Sequence, residues 1–365
     1  MKRIRLTSFA TLALVMASLA AFSLSPVSAA AKNSKPRLPV YDNFREGFMV
    51  GTPTAKWFYF AAPGSDGSTF TGDDGLTFTG PFGLVVIPKG HNPRTGLPAF
   101  TKTVSQTDPY PGAFDHVKWL VYANHTASSG FPGFDALPGK ELVCQSTIAG
   151  QTFGTREQPF GNYVMNPYDD LRLAAVAMPA IDFGTFSVFD TWLTDKHIYA
   201  FYEHLPFQRA SLGGRYDEYA AFSSAIPIAD RTPGQADTVA FAYDKSKGIA
   251  RWLVNGVEKY RVSAIGFLPP REQMLIDHGG KPESFSPNQL DCGLGLFTLL
   301  DGYGPGQRGL VRLNNPAGPP AYLNPLTGQA PARFVDEQSL AKNRLWGQGA
   351  ALEVSSISIG YWPNH

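Results

Sequence analysis

The sequence carries almost no net charge, with 31 Lys and Arg residues against 30 Asp and Glu residues in a chain of 365. Residues 1–31 contain three of the basic residues and no acidic one, so the remaining 334 residues hold 28 basic and 30 acidic side chains. A nucleic-acid-binding protein needs a basic surface to neutralise phosphates. We therefore expect no nucleic-acid partner.

Cysteine is scarce: the chain has only Cys144 and Cys292, and no CxxC pair. The missing pair argues against a zinc ribbon and against thiol redox chemistry. In an oxidising compartment the two cysteines can form one disulfide if the fold brings their Cα atoms within reach. Two buried free thiols are the alternative at this stage.

Several catalytic and metal-binding motifs are also missing. The seven histidines are scattered and form neither HExxH nor HxH, which argues against a zinc site. No GxSxG or SxxK motif is present. We expect no required cofactor, although a structural calcium ion held by an acidic loop is an alternative, at Ser65-Asp66-Gly67, at Asp73-Asp74-Gly75 or at Asp169-Asp170.

The N-terminus has the layout of a secretory signal. Lys2, Arg3 and Arg5 precede an apolar stretch, which ends in small residues near Ala29 to Ala31. We assign residues 1–31 to a signal peptide and residues 32–40 to a short linker. No other stretch reaches about 18 apolar residues, so we expect no membrane span after removal of the signal. The predicted location is secreted, either extracellular or periplasmic.

Residues 41–365 are predicted to form a single β-sandwich domain. The chain has 37 glycines and 30 prolines, which indicate many turns, and 26 phenylalanines and 15 tyrosines, which favour strands. Helical periodicity is confined to residues 271–278 and 339–345. Strand-like runs bounded by turn residues are frequent. They cover residues 56–60, 84–87, 171–177, 186–193, 198–202, 219–228, 239–243, 249–254, 293–299 and 352–359.

The clearest unit is a three-stranded meander over residues 238–262. Two apolar runs are joined by a turn at residues 244–248, and Asn255-Gly256 leads into a third run. Asn-Gly between strands favours a type I′ turn, because both central residues need a positive φ.

This meander, with its RWLVNG hairpin, resembles the hairpin of concanavalin A-like lectin and glucanase jelly rolls. The opening segment YDNFREGF and the closing run LEVSSISI fit the same superfamily, in which the first and last strands lie side by side. The resemblance implies an all-β, concanavalin A-like jelly-roll sandwich of two antiparallel sheets with few short helices. Seven ordered segments are also similar to a group of secreted bacterial proteins known only as a domain of unknown function. They read YDNFREGF, KWFYF, NPRTG, DDLRLAA, IYAFYEHLPF, AAFSSAIP and RWLVNG.

The catalytic strand of the laminarinase-type members, Glu-x-Asp-x-x-Glu, is absent. Alternate residues of a strand point to one side, so that spacing would place the catalytic carboxyls in one groove. In the nearest run, Asp217 and Glu218 are adjacent and would point in opposite directions. No catalytic residue of the superfamily can therefore be transferred to this chain.

A polar and aromatic group between residues 186 and 219 provides the candidate site. By alternation, Asp190 and Trp192 share one strand face, as do Tyr199, Phe201 and Glu203 on the next strand, with Tyr202 and His204 on the opposite face. We predict Glu203 and Asp190 as catalytic carboxyls, since desolvation among aromatics would turn Glu203 into a general acid. The predicted substrate-binding residues are Trp192, Tyr202, His204, Arg209, Arg215, Tyr216 and Glu218. Alternatively, Glu203 pairs with Arg209 or Arg215 as a structural ion pair, and Trp192 belongs to the core.

Three functions are consistent with these features. The first is a secreted glycan-processing enzyme, a hydrolase or lyase, that acts as a monomer on a polysaccharide or glycoside in a concave aromatic-lined groove. The second is a non-catalytic carbohydrate-binding protein that uses Trp192, Tyr202 and Tyr216 for stacking. The third is an enzyme of unrelated chemistry on the same fold, because fold does not determine function.

Overall fold

The computed structural model describes residues 36–106, 112–211, 219–313 and 322–364. The predicted signal peptide and the first part of the predicted linker lie outside the described residues. The site candidates Arg215, Tyr216 and Glu218 lie outside them as well.

Strands dominate the described chain and are numbered in chain order. They are β1 (Val40–Asp42), β2 (Trp57–Tyr59), β3 (Ala61–Pro63), β4 (Thr69–Thr71), β5 (Gly75–Gly80), β6 (Gly83–Pro88), β7 (Gly90–His91), β8 (Pro98–Ala99), β9 (Val117–Ala123), β10 (Phe134–Asp135), β11 (Lys140–Phe153), β12 (Ala175–Met178), β13 (Ala180–Asp182), β14 (Ser187–Leu193), β15 (His197–His204), β16 (Phe222–Asp230), β17 (Asp237–Asp244), β18 (Ile249–Val254), β19 (Val257–Val262), β20 (Met274–Asp277), β21 (Gln289–Phe297), β22 (Gly309–Val311), β23 (Phe334–Asp336) and β24 (Gly349–Pro363).

Helices are few and short in the described chain. The α-helices are α1 (Phe207–Ser211) and α2 (Ala341–Arg344), and the 3₁₀ helices are Gly112–His116, Gly161–Tyr163 and Arg271–Gln273. Among the described residues, no helix has the length and apolar character needed to cross a bilayer.

Two large antiparallel sheets build the molecule. Sheet I has eight strands in the order β19-β18-β17-β11-β24-β6-β5, with β1 paired to β24. Sheet II has ten strands in the order β2-β9-β21-β12-β14-β15-β16-β20, with β10 and β13 paired beside this path. Three two-stranded ribbons complete the strand pairing: β22-β23, β3-β4 and β7-β8. The fold is an all-β jelly-roll sandwich with few short helices, as predicted.

The main hydrophobic core lies between the two sheets. Its buried side chains include Phe241 and Trp252 from sheet I and Phe189 and Leu294 from sheet II. Burying such large apolar side chains is the dominant favourable contribution to folding. Trp252, from the RWLVNG hairpin, also donates a hydrogen bond of 2.7 Å from Nε1 to the carbonyl oxygen of Asp190 on β14. The hairpin therefore anchors a strand of the facing sheet.

A second hydrophobic cluster covers the other side of sheet II, which we call the outer face. It includes Leu120, Ala177, Trp192, Phe201 and Phe297, all of them buried. Connecting segments lie over this face, so sheet II is covered on both sides. This explains why all seven residues of β14 are buried instead of alternating between buried and exposed.

Cys144 on β11 and Cys292 on β21 are joined in a disulfide, with their Cα atoms 5.9 Å apart. The bond connects sheet I to sheet II inside the main core, where both residues are fully buried. Of the two alternatives left open by the sequence, the structure has the disulfide.

The meander and the paired termini are confirmed. Strands β17, β18 and β19 form the meander, and Asn255 and Gly256 both have positive φ, at 51° and 80°. Strand β1 pairs with β24 through Val40 and Ser358. The first and last strands therefore lie side by side.

Two local predictions are wrong. The predicted helix over residues 271–278 is a 3₁₀ turn followed by strand β20, because residues 274–277 pair with the free edge of β16. The predicted strand over residues 171–177 begins only at Ala175. Its first residues form a turn, in which Asp170 Oδ1 accepts a hydrogen bond from the backbone N–H of Arg172.

We expect removal of the disulfide to destabilise the protein strongly. The bond closes a loop with a sequence separation of 148 residues, and loss of a long-loop disulfide costs about 2–5 kcal/mol. A Cys144→Ala/Cys292→Ala variant should therefore unfold at a lower guanidinium concentration than the oxidised wild type. Dithiothreitol should lower the wild-type midpoint and leave that of the variant unchanged. Equal midpoints for oxidised wild type and variant would contradict this prediction.

Candidate active site

A cavity of about 430 Å³ lies on the outer face of sheet II. Its floor is formed by side chains of β9, β14, β15, β16 and β20. Its cover is formed by residues 60–63, by Ala113, Phe114 and His116, and by residues 205–207. Cavities of this size are typical of sites for small ligands.

The strand register brings the two predicted carboxyls together on the cavity floor. Asp190 is paired with Phe201, and Glu203 is paired with Val188. Paired residues of an antiparallel ladder lie on the same face of the sheet. Asp190 and Glu203 are therefore diagonal neighbours on one face, and the Cα atoms of such neighbours lie about 7–8 Å apart. Both residues line the cavity, and Trp192 lies on the same face. These positions agree with the alternation in the sequence.

Asp190 is held by two hydrogen bonds. The backbone N–H of Ala180 donates to Oδ1 and Trp192 Nε1 donates to Oδ2, each at 3.0 Å. Burial disfavours the charged carboxylate and outweighs these donors, so the pKa of Asp190 is raised to about 7.

Glu203 is buried next to the same cavity. Burial is the main cause that raises its pKa to about 8; the hydrogen bond from Ser223 opposes this shift, and the charges of Asp190 and Asp301 add to it. The Ser223 hydroxyl donates to Oε1 of Glu203. At neutral pH the side chain of Glu203 is therefore mostly protonated and can act as a proton donor.

The structural ion pair considered for Glu203 is not formed by Arg209. Arg209 instead donates to backbone carbonyls, at 3.1 Å to His278 and 2.6 Å to Gly279, and its guanidinium lies over the ring of Tyr219. Within the described residues, no ion pair of Glu203 is formed. Arg209 holds the chain around α1 and is not among the described residues that line the cavity, so the structure gives no support to its assignment to substrate binding.

The predicted aromatic residues occupy different places. Trp192 lines the cavity but is only 3% exposed, packed against Phe201 and Phe297 with ring centroids 4.4 and 4.9 Å away. It is therefore both a wall of the cavity and part of the outer-face cluster. Tyr202 is 1% exposed in the core between the sheets, where its hydroxyl accepts a hydrogen bond from Gly266 N. Tyr202 therefore points away from the cavity, against its assignment to substrate binding.

His204 borders the cavity, but its ring is used for packing. The imidazole stacks on the ring of Tyr219 and packs at a tilt against that of Phe285, with ring centroids 4.1 and 4.3 Å away. Burial lowers the pKa of His204 to about 4, so the ring is neutral at physiological pH.

A cluster that the sequence analysis missed lines the same cavity. His116 Nε2 lies 2.6 Å from Asp301 Oδ1, and the hydroxyl of Tyr322 lies 2.8 Å from Asp301 Oδ2. Burial alone would raise the pKa of Asp301, but His116 and the hydrogen bond from Tyr322 outweigh it and lower the pKa. Because His116 and Asp301 are 185 residues apart, no local pattern could have joined them.

His278 also lines the cavity, near the ring of Tyr322. Burial lowers its pKa to about 4, and its buried Nδ1 atom has no hydrogen-bond partner among the described residues. A neutral imidazole with a free nitrogen can accept or donate one hydrogen bond to a bound molecule.

The acidic turns considered for calcium use their carboxylates in internal contacts. Asp170 pairs with Arg172 at 2.6 Å, and Asp74 accepts hydrogen bonds from Thr101 and from the backbone N–H of Lys102. Within the part of the chain that the structure describes, no group of three or more His, Cys, Asp or Glu residues has an arrangement that could hold a metal ion.

Residues 41–361 match a family described as a family of unknown function, DUF6081. Over 260 residues the chain is 28% identical to "Uncharacterized protein L829" of Acanthamoeba polyphaga mimivirus, an alignment that covers 57% of this chain and 58% of that protein. The chain thus spans less than two thirds of this relative. Because the relative is viral, it does not support a restriction of the resemblance to bacterial proteins.

Solved structures with similar folds have about one tenth sequence identity. An endo-1,3-beta-glucanase from Streptomyces sioyaensis has a TM-score of 0.42 and 11% identity, over 92% of this chain and 100% of that chain. Alginate lyase A1-II′ of polysaccharide lyase family 7 has a TM-score of 0.37 and 10% identity, over 85% and 96%. The apo Crh5 transglycosylase has a TM-score of 0.35 and 11% identity, over 87% and 82%. These similarities concern the fold alone.

We expect Glu203→Gln to stabilise the protein at alkaline pH. The pKa of Glu203 is raised from 4.5 to about 8 in the folded state, so wild-type stability falls as the pH rises through this interval. Gln cannot ionise, and the variant should gain stability relative to wild type between pH 5 and pH 9, by at most about 4 kcal/mol. Urea unfolding at several pH values measures this difference.

Glu46→Gln provides the control, because Glu46 is exposed. This variant should follow the pH dependence of the wild type. If wild type and Glu203→Gln differ in stability by the same amount at pH 5 and at pH 9, Glu203 does not have the raised pKa.

Proposed function

We propose that this protein, which belongs to the DUF6081 family of unknown function, is a secreted glycan-processing enzyme, a hydrolase or lyase. Glu203 is its general acid and Asp190 is the second carboxyl. The observation that carries the proposal is the position of Glu203, a buried acid with a pKa raised to about 8 that lines a cavity beside Asp190. Enzymes that cleave glycosidic bonds commonly need one protonated and one ionised carboxyl.

For a hydrolase, the two carboxyls have distinct tasks. Glu203 donates its proton to the glycosidic oxygen as the bond between that oxygen and the anomeric carbon breaks. Asp190 in its ionised form accepts a proton from the attacking water or forms the new bond itself. Its two hydrogen bonds, from Ala180 and Trp192, hold the carboxylate in one orientation. Each carboxylate oxygen keeps a lone pair for the reaction.

The non-catalytic alternative has less support. A stacking platform for sugars needs an exposed ring face. Trp192 and Tyr202 are 3% and 1% exposed, and neither presents such a face to solvent. The carboxyls instead line a partly open cavity beneath aromatic rings, and concave sites of this kind are typical of catalysis. Tyr216, the third stacking candidate, lies outside the described residues.

Secretion is part of the proposal. The signal-like N-terminus and the disulfide between Cys144 and Cys292 both favour an oxidising extracellular or periplasmic location. The active form we propose is a monomer that requires no cofactor.

The first test is release of products from polysaccharides and glycosides. Protein starting at Lys32 is incubated with neutral and acidic plant, algal and microbial polysaccharides and with synthetic glycosides, and products are detected by mass spectrometry. We expect turnover by the wild type and a loss of about 10²–10⁴-fold in kcat for Glu203→Gln and Asp190→Asn, because each removes one step of acid–base catalysis.

Glu353→Gln is the matched control, since Glu353 is a half-buried glutamate on β24 of the opposite sheet. It should retain the wild-type rate. Retention on a polymer without turnover would favour the carbohydrate-binding alternative, and neither turnover nor retention would favour unrelated chemistry.

The pH dependence of kcat/KM provides a separate prediction. The pair must be singly protonated, and Asp190 and Glu203 have pKa values of about 7 and about 8. As the pH rises, the rate should increase with loss of the first proton and decrease with loss of the second, giving a bell with its maximum between about pH 7 and pH 8. A rate that stays constant from pH 5 to pH 10 would contradict this assignment.

A further inference from the structure

We infer that the cavity binds a small neutral glycoside, or the neutral end of a glycan chain, with the sugar toward Glu203 and an apolar aglycone under a cover of phenylalanines. This inference rests on the proposed function and names its substrate class. It follows from the cover, the charge and the distribution of polar groups around the cavity.

The cover crosses the outer face of sheet II from two opposite ends. Val117, at the start of β9, pairs with the end of β21, and Glu203, at the end of β15, pairs near the start of β14. Because neighbouring strands of sheet II are antiparallel, these pairings place Val117 and Glu203 at opposite ends of the sheet's strands. The segments beyond them meet over the face, where the rings of Phe114 and Phe207 have centroids 6.1 Å apart.

Two further ring contacts continue this cover. The ring centroid of Phe60 lies 5.6 Å from that of Phe114, and the ring centroid of Phe186 lies 5.9 Å from that of Phe207. Long polymers bind along open clefts, and a cavity of about 430 Å³ beneath these rings has the size of a site for a small molecule or a chain end.

The charge of the cavity favours a neutral sugar. Three of the residues that line it are acidic: Asp190, Glu203 and Asp301. No Lys or Arg occurs among the lining residues that the structure describes, and His116 is paired with Asp301. Among the described lining residues, a uronate or sulfate group would face Asp190 and Asp301 with no Lys or Arg to balance its charge.

The cavity lining combines polar groups with apolar rings. Asp190, Glu203 and Ser223 lie on the floor strands, whereas the cover is apolar apart from His116, which is paired with Asp301. A sugar needs partners for its hydroxyls and fits the floor. An aromatic or alkyl aglycone fits the cover, because its burial there removes apolar area from water.

The test compares octyl and methyl glycosides of neutral pyranoses in both anomeric forms. These pairs have similar leaving groups and differ in the apolar chain. We expect kcat/KM to be about tenfold or more higher for the octyl glycoside, mainly through a lower KM. The corresponding glucuronides and two polymers, alginate and laminarin, are measured in parallel.

Phe114→Ala and Phe207→Ala should each reduce the octyl-to-methyl ratio, because each removes part of the cover. Phe82→Ala should leave the ratio unchanged, since Phe82 is exposed in the turn between β5 and β6 on the other sheet. Circular dichroism shows which variants fold. If one of the two cover variants fails to fold, the other still tests the inference.

The outcomes separate this inference from the proposed function. Internal cleavage of a polymer without action on small glycosides, or a preference for glucuronides or alginate, would overturn the inference and leave a glycan-processing enzyme. An octyl-to-methyl ratio near one would also overturn it. No turnover of any substrate would remove the proposed function, and the inference with it.

Discussion

Burial of sheet II on both faces is the constraint on which the site depends. Sheet I packs against one face, and connecting segments cover the other, so even the polar residues of β14 and β15 near the cavity are removed from water. Desolvation disfavours the charged form of a carboxyl. The raised pKa values of Asp190 and Glu203 follow from this burial, and the cavity is the space left between the outer face and its cover.

The two sheets are held together at the strands that carry the site. Trp252 on β18 donates a hydrogen bond to the carbonyl oxygen of Asp190, and the disulfide joins β11 to β21. Strand β13 pairs with both β21 and β14. It therefore links the strand that carries Cys292 to the strand that carries Asp190. Acid–base catalysis requires carboxyls in constant positions. A core linked in this way would hold the two carboxyls in the positions that the proposed reaction needs.

Much of the fold could be predicted because its signals are local. Asn255-Gly256 requires positive φ at two successive positions, and this defines the hairpin without reference to the rest of the chain. Alternation placed Asp190 and Glu203 on shared faces, since the period of a strand is two. Residue type alone could not place Tyr202 and Arg209, because aromatic and basic residues serve packing as readily as binding. In the structure Tyr202 lies in the core, and Arg209 binds backbone carbonyls.

By itself, the sequence determined the all-β class, the central meander and the face of each predicted carboxyl, whereas the pairing of the terminal strands was implied only by the resemblance to concanavalin A-like jelly rolls. These properties depend on turn residues and on alternation along single strands. Only the tertiary structure decided that the cysteines are joined, that His116 and Asp301 meet across 185 residues, and that the outer face is covered by phenylalanines. Such contacts join segments remote in the chain, and burial, which sets the protonation of Glu203, exists only once those segments have packed together.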